Sequence, residues 1–194
     1  MLNSHRHNIN ELQALKKRFD PKTVEKAFSQ ALDRTQSKAA TQISADVRKT
    51  YDVSVADVKK RLTIQRARRD ASRSLLYAGR RLPLDHFKPK ERMVRTTATS
   101  VRGKPFKTRR RGATVRVRKD RGRQLVPGGW FAKGRILRRA DQNDNRSQPR
   151  MQFGPSIPGM VSHESVIERA QEMVREDLPR QFSGRMDYLL GRKE

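Results

Sequence analysis

The side chains in this sequence best suited to chemistry are cations, and the chemistry they suit is anion binding. Residues 102–123 hold Arg102, Lys104, Lys107, Arg109, Arg110, Arg111, Arg116, Arg118, Lys119, Arg121 and Arg123 against a single acid, Asp120. An arginine fork matches phosphate oxygens, and clustered positive charge attracts duplex DNA without reading its sequence. Arg109, Arg110, Arg111, Arg116, Arg118, Lys119, Arg121 and Arg123 are therefore the candidate DNA-facing residues. A second cluster comprises Lys59, Lys60, Arg61, Arg66, Arg68 and Arg69. Gly103, Gly112 and Gly122 let the basic segment bend, but no phosphate-loop pattern accompanies them. A basic run can also be no more than a solvated loop. The density here, with a net charge of +26, favours contact with a polyanion. Base-specific reading is not expected. No helix-turn-helix, zinc-finger or RNA-recognition pattern is visible, and aromatics, at 6%, are too sparse for a stacking platform.

Other reactive residue types do not gather. His5-x-His7 has a metal-like spacing, but it lies near the N-terminus in a polar segment. His86 stands between Asp85 and Phe87, and His163 falls near a helix start. Asp141 and Asp144, with Asn143 and Asn145, read as a polar turn. Ser156 in Gly154-Pro155-Ser156 is not a nucleophile elbow. The absence of cysteine removes disulfides, thiolate metal sites and thiol nucleophiles. The expectation is a non-enzymatic protein with no cofactor and no metal.

Composition points the same way. Lys plus Arg number 46 against 20 Asp plus Glu, and only 34% of residues are hydrophobic. Such a chain repels itself when free and buries a modest core, so nucleic acid or neighbouring subunits are expected to cover part of it. No apolar stretch approaches the roughly 20 residues of a membrane span, and no signal peptide is visible. Residues 1–19 are expected to form an N-terminal arm. Residues 20–194 should form a single domain, helical over 20–61, mainly strand and loop over 62–160, and helical again over 162–191.

The elements that must position the cations follow from periodicity. Asp20-Pro21 is a helix start signal. Val24, Phe28, Ala31, Leu32, Thr35, Ala39, Ile43 and Val47 then line one face of a helix of about 28 residues, roughly 40 Å long. Ser54 and Asp57 resemble a capping box for a short helix over 55–61. Strands are expected at 63–67, 92–101, 113–118 and around Ile136-Leu137, with further apolar runs at 74–78, 125–126 and 130–132. Leu82, Leu84 and Phe87 read as an extended, partly buried segment, and 102–112 as a loop. Ser162 should cap a last helix that Pro179 kinks or splits. The expected class is α+β, with the two long helices packed on a small antiparallel sheet that bears extended basic loops. The expected core includes Val24, Phe28, Leu32, Ile43, Val47, Leu75, Tyr77, Val115, Val117, Phe131 and Val166.

The order of features carries a resemblance. The Ala-rich helix leads into Tyr51-Asp52-Val53, then Val55-x-x-Val58-Lys59, Leu62-Thr63-Ile64 and Leu82-Pro83-Leu84. A basic hairpin around 113–124 follows, then Gly128-Gly129-Trp130-Phe131-Ala132, Arg138-Arg139 and Phe153-Gly154-Pro155-Ser156-Ile157-Pro158. Over roughly residues 22–190 this is similar to the phage minor tail protein Z family, the tail-completion proteins of lambda-like phages. Family members usually carry Gly-Ala-Phe where this chain has Gly129-Trp130-Phe131. The resemblance implies a virion protein, assembled in the host bacterial cytoplasm, that completes the tail before it joins the filled head. It implies a homo-oligomeric ring of six subunits, or alternatively twelve, around the DNA channel. The tail terminator and the head–tail connector would be its neighbours, and double-stranded DNA would be met without sequence preference and without any membrane. The rival readings are a ribosomal or nucleoid nucleic-acid-binding protein and a scaffold that leaves before maturation. Charge reversal at Arg116 and Arg118 is expected to impair the junction and spare the fold.

Overall fold

A computed structural model describes residues 20–66, 72–99, 102–141, 144 and 146–191. The N-terminal arm with His5 and His7, Arg68 and Arg69 of the second basic cluster, and Asn143 and Asn145 lie outside these residues. The chain is α+β, as its periodicity predicts. The strands form four small antiparallel sheets. Two compact units are formed, one from the described residues up to 43, 63–76 and 164 onward, the other from 44–62 and 77–163.

The first unit is built on two long helices. Helix α1 (Pro21–Thr50) starts where Asp20 accepts bonds from Thr23 N–H at 3.2 Å and Thr23 Oγ1 at 2.7 Å. Pro21 occupies the first helical position, where its missing N–H costs nothing. The last helix of the chain, Glu164–Leu190, meets α1 through a cluster of Val24, Ala27 and Met186, with Phe182, Leu189 and Leu190 packed against it. Phe28 and Phe182 stack edge to face, with centroids 5.9 Å apart. Further along α1, Asp177 accepts from Thr35 Oγ1 and pairs with Lys38 Nζ at 2.5 Å. Contact pairs that rise along one helix fall along the other, so the two helices run antiparallel. Strands β1 (Leu62–Arg66) and β2 (Arg73–Tyr77) pair as a hairpin. Polar anchors hold it to α1. Gln36 Nε2 donates to Gln65 O and Ser74 O, and Arg73 reaches Asp33 at 2.7 Å and Ser29 Oγ at 2.8 Å.

Pro179 does not split the C-terminal helix, which runs unbroken from Glu164 to Leu190. Proline removes one intrahelical bond, but the buried anchors Leu178 and Met186 hold the segments on either side of the site. Ser162 is not its cap either, since the helix begins two residues later and Ser162 Oγ donates to Gly159 O. Ser156 caps instead. It accepts from Gly159 N–H at 3.2 Å and starts a short helix, α3 (Ile157–Val161).

The second unit holds the remaining sheets. Here the end of α1 and helix α2 (Val55–Lys60) precede β3 (Arg81–Pro83), a 3-10 turn (Leu84–Phe87), β4 (Lys90–Thr99), β5 (Pro105–Val115) and β6 (Gln124–Leu125). Then come β7 (Gly129–Ala132), β8 (Arg135–Arg139), β9 (Pro149–Met151) and β10 (Phe153–Ser156). The sheets are β3 with β10, β4–β5–β6 and β7–β8–β9. Ser54 Oγ accepts from Asp57 N–H at 3.0 Å, so the expected capping of α2 is present. The core is centred on Phe87, Ile136, Ile157, Met160 and Val58, all essentially inaccessible. Leu82 and Leu84 are buried too: the segment is extended and partly buried through β3, as expected, but turns from Leu84 to enclose Phe87 while His86 stays exposed. Gly154 makes this possible, because a Cβ there would meet Phe87 Cε2 at 2.6 Å. Of the expected core, Val24, Ile43, Val47, Val115 and Val166 are buried, while Phe28, Leu32, Leu75, Tyr77, Val117 and Phe131 are half-buried.

Candidate nucleic-acid interface

The basic segment is a strand. Residues 102–112 were expected to loop, yet β5 begins at Pro105 and pairs with β4 along ten consecutive rungs, from Lys90↔Thr114 to Thr99↔Pro105. The reason is the partner strand. Arginine has no strong preference against extended backbone, and β4 offers a matched row of donors and acceptors that a loop would leave to water. Gly112 serves that pairing rather than a bend, since a Cβ there would lie 2.7 Å from Val94 Cγ2. Beyond Val115 the strand stops, where Ala113–Arg118 was expected to continue. Thr114 and Val115 pair with Leu125 and Gln124, and Arg118 instead forms a bridge to Tyr51 at the end of α1.

Register assigns the cations to faces, because directly opposed residues of an antiparallel pair point the same way. Arg109 and Arg111 share a face with Lys107 and, across the ribbon, Arg95. Arg110 lies on the other face with Arg92 and Lys90. Arg95 is directly opposite Arg109. All these side chains are exposed. Arg92 and Arg95 were not among the sequence candidates. Glu91 dilutes the charge of their segment, and only the strand register brings them beside 109–111.

Three of the other candidates, Arg116, Arg118 and Arg123, are tied down. Arg116 Nε donates to Asp52 Oδ2 at 2.8 Å, and Lys88 Nζ stands 2.7 Å from Asp52 Oδ1. The Asp52 side chain keeps 2% of its surface. Burial would raise its pKa, but the hydrogen bonds and charges of Lys88 and Arg116 outweigh that and hold it below the usual carboxylate value. Asp52 N–H also donates to Val117 O at 3.0 Å, and Lys119 N–H to Thr50 O at 2.9 Å. This carboxylate is thus a clasp between the end of α1 and the chain leaving β5. The expectation that Arg116 could be reversed without cost to the fold fails here, since a glutamate would face a buried like charge. Arg118 grips Asp120 with two bonds of 3.0 and 2.9 Å, and its guanidinium lies 5.8 Å from the Tyr51 ring centroid. Arg123 donates to Lys88 O at 2.7 Å. Lys119 and Arg121 are exposed in the turn beside Asp120.

His86, Asp141, Asp144 and Ser156 are accounted for by local structure. His86 Nδ1 lies 2.9 Å from Asp57 Oδ1 beside the α2 cap. Asp144 accepts from Arg146 N–H, and Asp141 N–H donates to Ser147 Oγ, which is turn chemistry. Ser156 is a helix cap. Among the described residues no cluster of three or more metal-ligating side chains occurs, and no helix is long and apolar enough to cross a membrane.

A small α+β chain whose charge is displayed along a ribbon, rather than gathered round a cavity, has the form of an assembly or binding protein. Residues 5–192 match the family model of prophage minor tail protein Z, so the chain belongs to that family and is a structural protein of the phage tail. No curated protein and no solved structure matches it.

Proposed function

We propose that this protein completes the phage tail and helps join it to the DNA-filled head, as one subunit of a six-membered ring around the DNA channel. The family supplies the tail. The observation that carries the reading further is the β4–β5 ribbon. It presents exposed cations on both faces, with Arg95 set directly against Arg109. Like charges opposed across a sheet destabilise it, so an anion close by is the condition under which this arrangement is favourable. Packaged duplex is the densest polyanion in a tailed particle. The tail terminator and the head–tail connector are the neighbours such a ring would bridge. Binding is non-specific, and no reaction is catalysed.

The test is electron cryo-microscopy of purified virions, with the neck reconstructed without imposed symmetry. The expected result is a ring of this chain between tail tube and head. Absence of the chain from the particle would overturn the reading.

A further inference from the structure

We infer that one face of the β4–β5 ribbon, carrying Arg95, Lys107, Arg109 and Arg111, is the surface that contacts the phosphates of double-stranded DNA. The inference rests on the channel reading above for the identity of the polyanion, but its geometry stands on the ribbon alone. β5 is 11 residues long, so the ribbon extends about 35 Å at roughly 3.4 Å per residue. Lys107, Arg109 and Arg111 alternate along one strand and therefore emerge on one side, with Arg95 completing the group from the other strand. Among the described residues none of these four side chains has a hydrogen-bond or ion-pair partner. The one acid on this face, Glu91, stands opposite Ala113 at the base, away from the Arg95–Arg109 rung.

The remaining cations are less suited. Arg116, Arg118 and Arg123 spend their donors on Asp52, Asp120 and the Lys88 carbonyl. The opposite face of the ribbon sets two large apolar side chains, Val94 and Phe106, among Lys90, Arg92 and Arg110, whereas the proposed face sets Met93 opposite Arg111. Three successive rungs of this face carry cations, with Glu91 confined to the base, and a row of phosphates matches them. An acidic protein surface would offer carboxylates at irregular spacing.

Two triple variants with the same change in charge separate the face from bulk electrostatics. One is Arg95→Gln/Arg109→Gln/Arg111→Gln, the other Lys90→Gln/Arg92→Gln/Arg110→Gln. Binding of the full-length protein to a short mixed-sequence duplex would be followed across salt concentrations. Each lost phosphate contact lowers the slope of log K against log salt by about 0.9, so the first triple should lower it by about 2.7 and the second by little. Arg109→Gln alone, which relieves a like-charge pair and so spares the fold, should lower it by about 0.9. Equal slope changes in the two triples would overturn the assignment, as would failure of the wild type to bind duplex at low salt. Competition by polyglutamate as effective as DNA, charge for charge, would overturn it in favour of an acidic protein partner. None of these results depends on where the chain lies in the virion, so the assembly reading and this one fail separately.

Discussion

Replacing Arg116 by methionine removes one of the two cations that hold the Asp52 carboxylate. Stripping a partner from a buried ion pair costs about 3–5 kcal/mol when the remaining charge is left alone. Here Lys88 remains 2.7 Å from Asp52, and the Arg116 side chain keeps 37% of its surface, so water can refill part of the site. The loss should then approach that of one charged hydrogen bond, about 1.5–3 kcal/mol. Arg118→Met is the matched comparison. Its partner Asp120 is 54% exposed, and solvent screens such a surface pair so that its loss should barely move the midpoint. Urea titration suits the measurement, because urea leaves ionic strength unchanged in a chain of net charge +26. The Arg116→Met midpoint should fall with the slope unchanged. In thermal unfolding a loss of about 2 kcal/mol in a chain this size corresponds to roughly 4–8 °C. A double-mutant cycle with Asp52→Asn should recover most of the effect as coupling. Equal midpoints for Arg116→Met and Arg118→Met, or a coupling near zero, would refute the clasp.

Three further outcomes follow from the same packing and charges. Gly112→Ala should cost about 1–3 kcal/mol by forcing a Cβ against Val94, and adding Val94→Ala should restore much of the urea midpoint. Pro179→Ala should stabilise the chain by about 1–3 kcal/mol, since the helix continues through a residue that cannot donate its bond; an unchanged or lower midpoint would count against the unbroken helix. Acid should weaken the protein. Burial raises the pKa of both Asp52 and Asp177, but Lys88 with Arg116, and Lys38 with Gln181 and Thr35, outweigh it and leave both lowered. A folded pKa below the unfolded value of about 3.9 gives stability that is complete above that pH and drains as pH falls through the folded value. Urea midpoints should therefore hold near neutrality and drop below about pH 4, and Asp52→Asn should flatten that drop.

Local signals were legible where a residue acts on its own neighbourhood. Asp20-Pro21 and the Ser54–Asp57 pair set helix starts through bonds spanning three residues, so spacing alone reveals them. Long-range packing was not legible. Phe87 is buried because Gly154 leaves room for it, and nothing near Phe87 in the chain announces that glycine. The strand at 105–115 was hidden for a related reason. Its residues look like a loop until β4 is laid beside them, because the pairing, not the arginines, makes the strand. The same gap limited the candidate site. Composition picked out Arg109, Arg110 and Arg111, but their division between two faces, and the partnership with Arg95, required the register. Arg116 and Arg118 looked equivalent in sequence and differ in consequence, because one faces a buried carboxylate and the other an exposed one.

The outer ribbon also has consequences for solubility. β6 pairs with Thr114 and Val115, and Val126 N–H donates to Ala113 O, so among the described residues β5 before Ala113 and the far side of β4 are open edges. Open edges of this length are templates for strand addition and aggregation. Two such edges brought together would set arginine beside arginine, so the charges suited to DNA also keep free subunits apart. That protection weakens as salt shortens the screening length. Self-association of the free subunit, followed by light scattering, should therefore rise with ionic strength, the reverse of a protein held together by ion pairs.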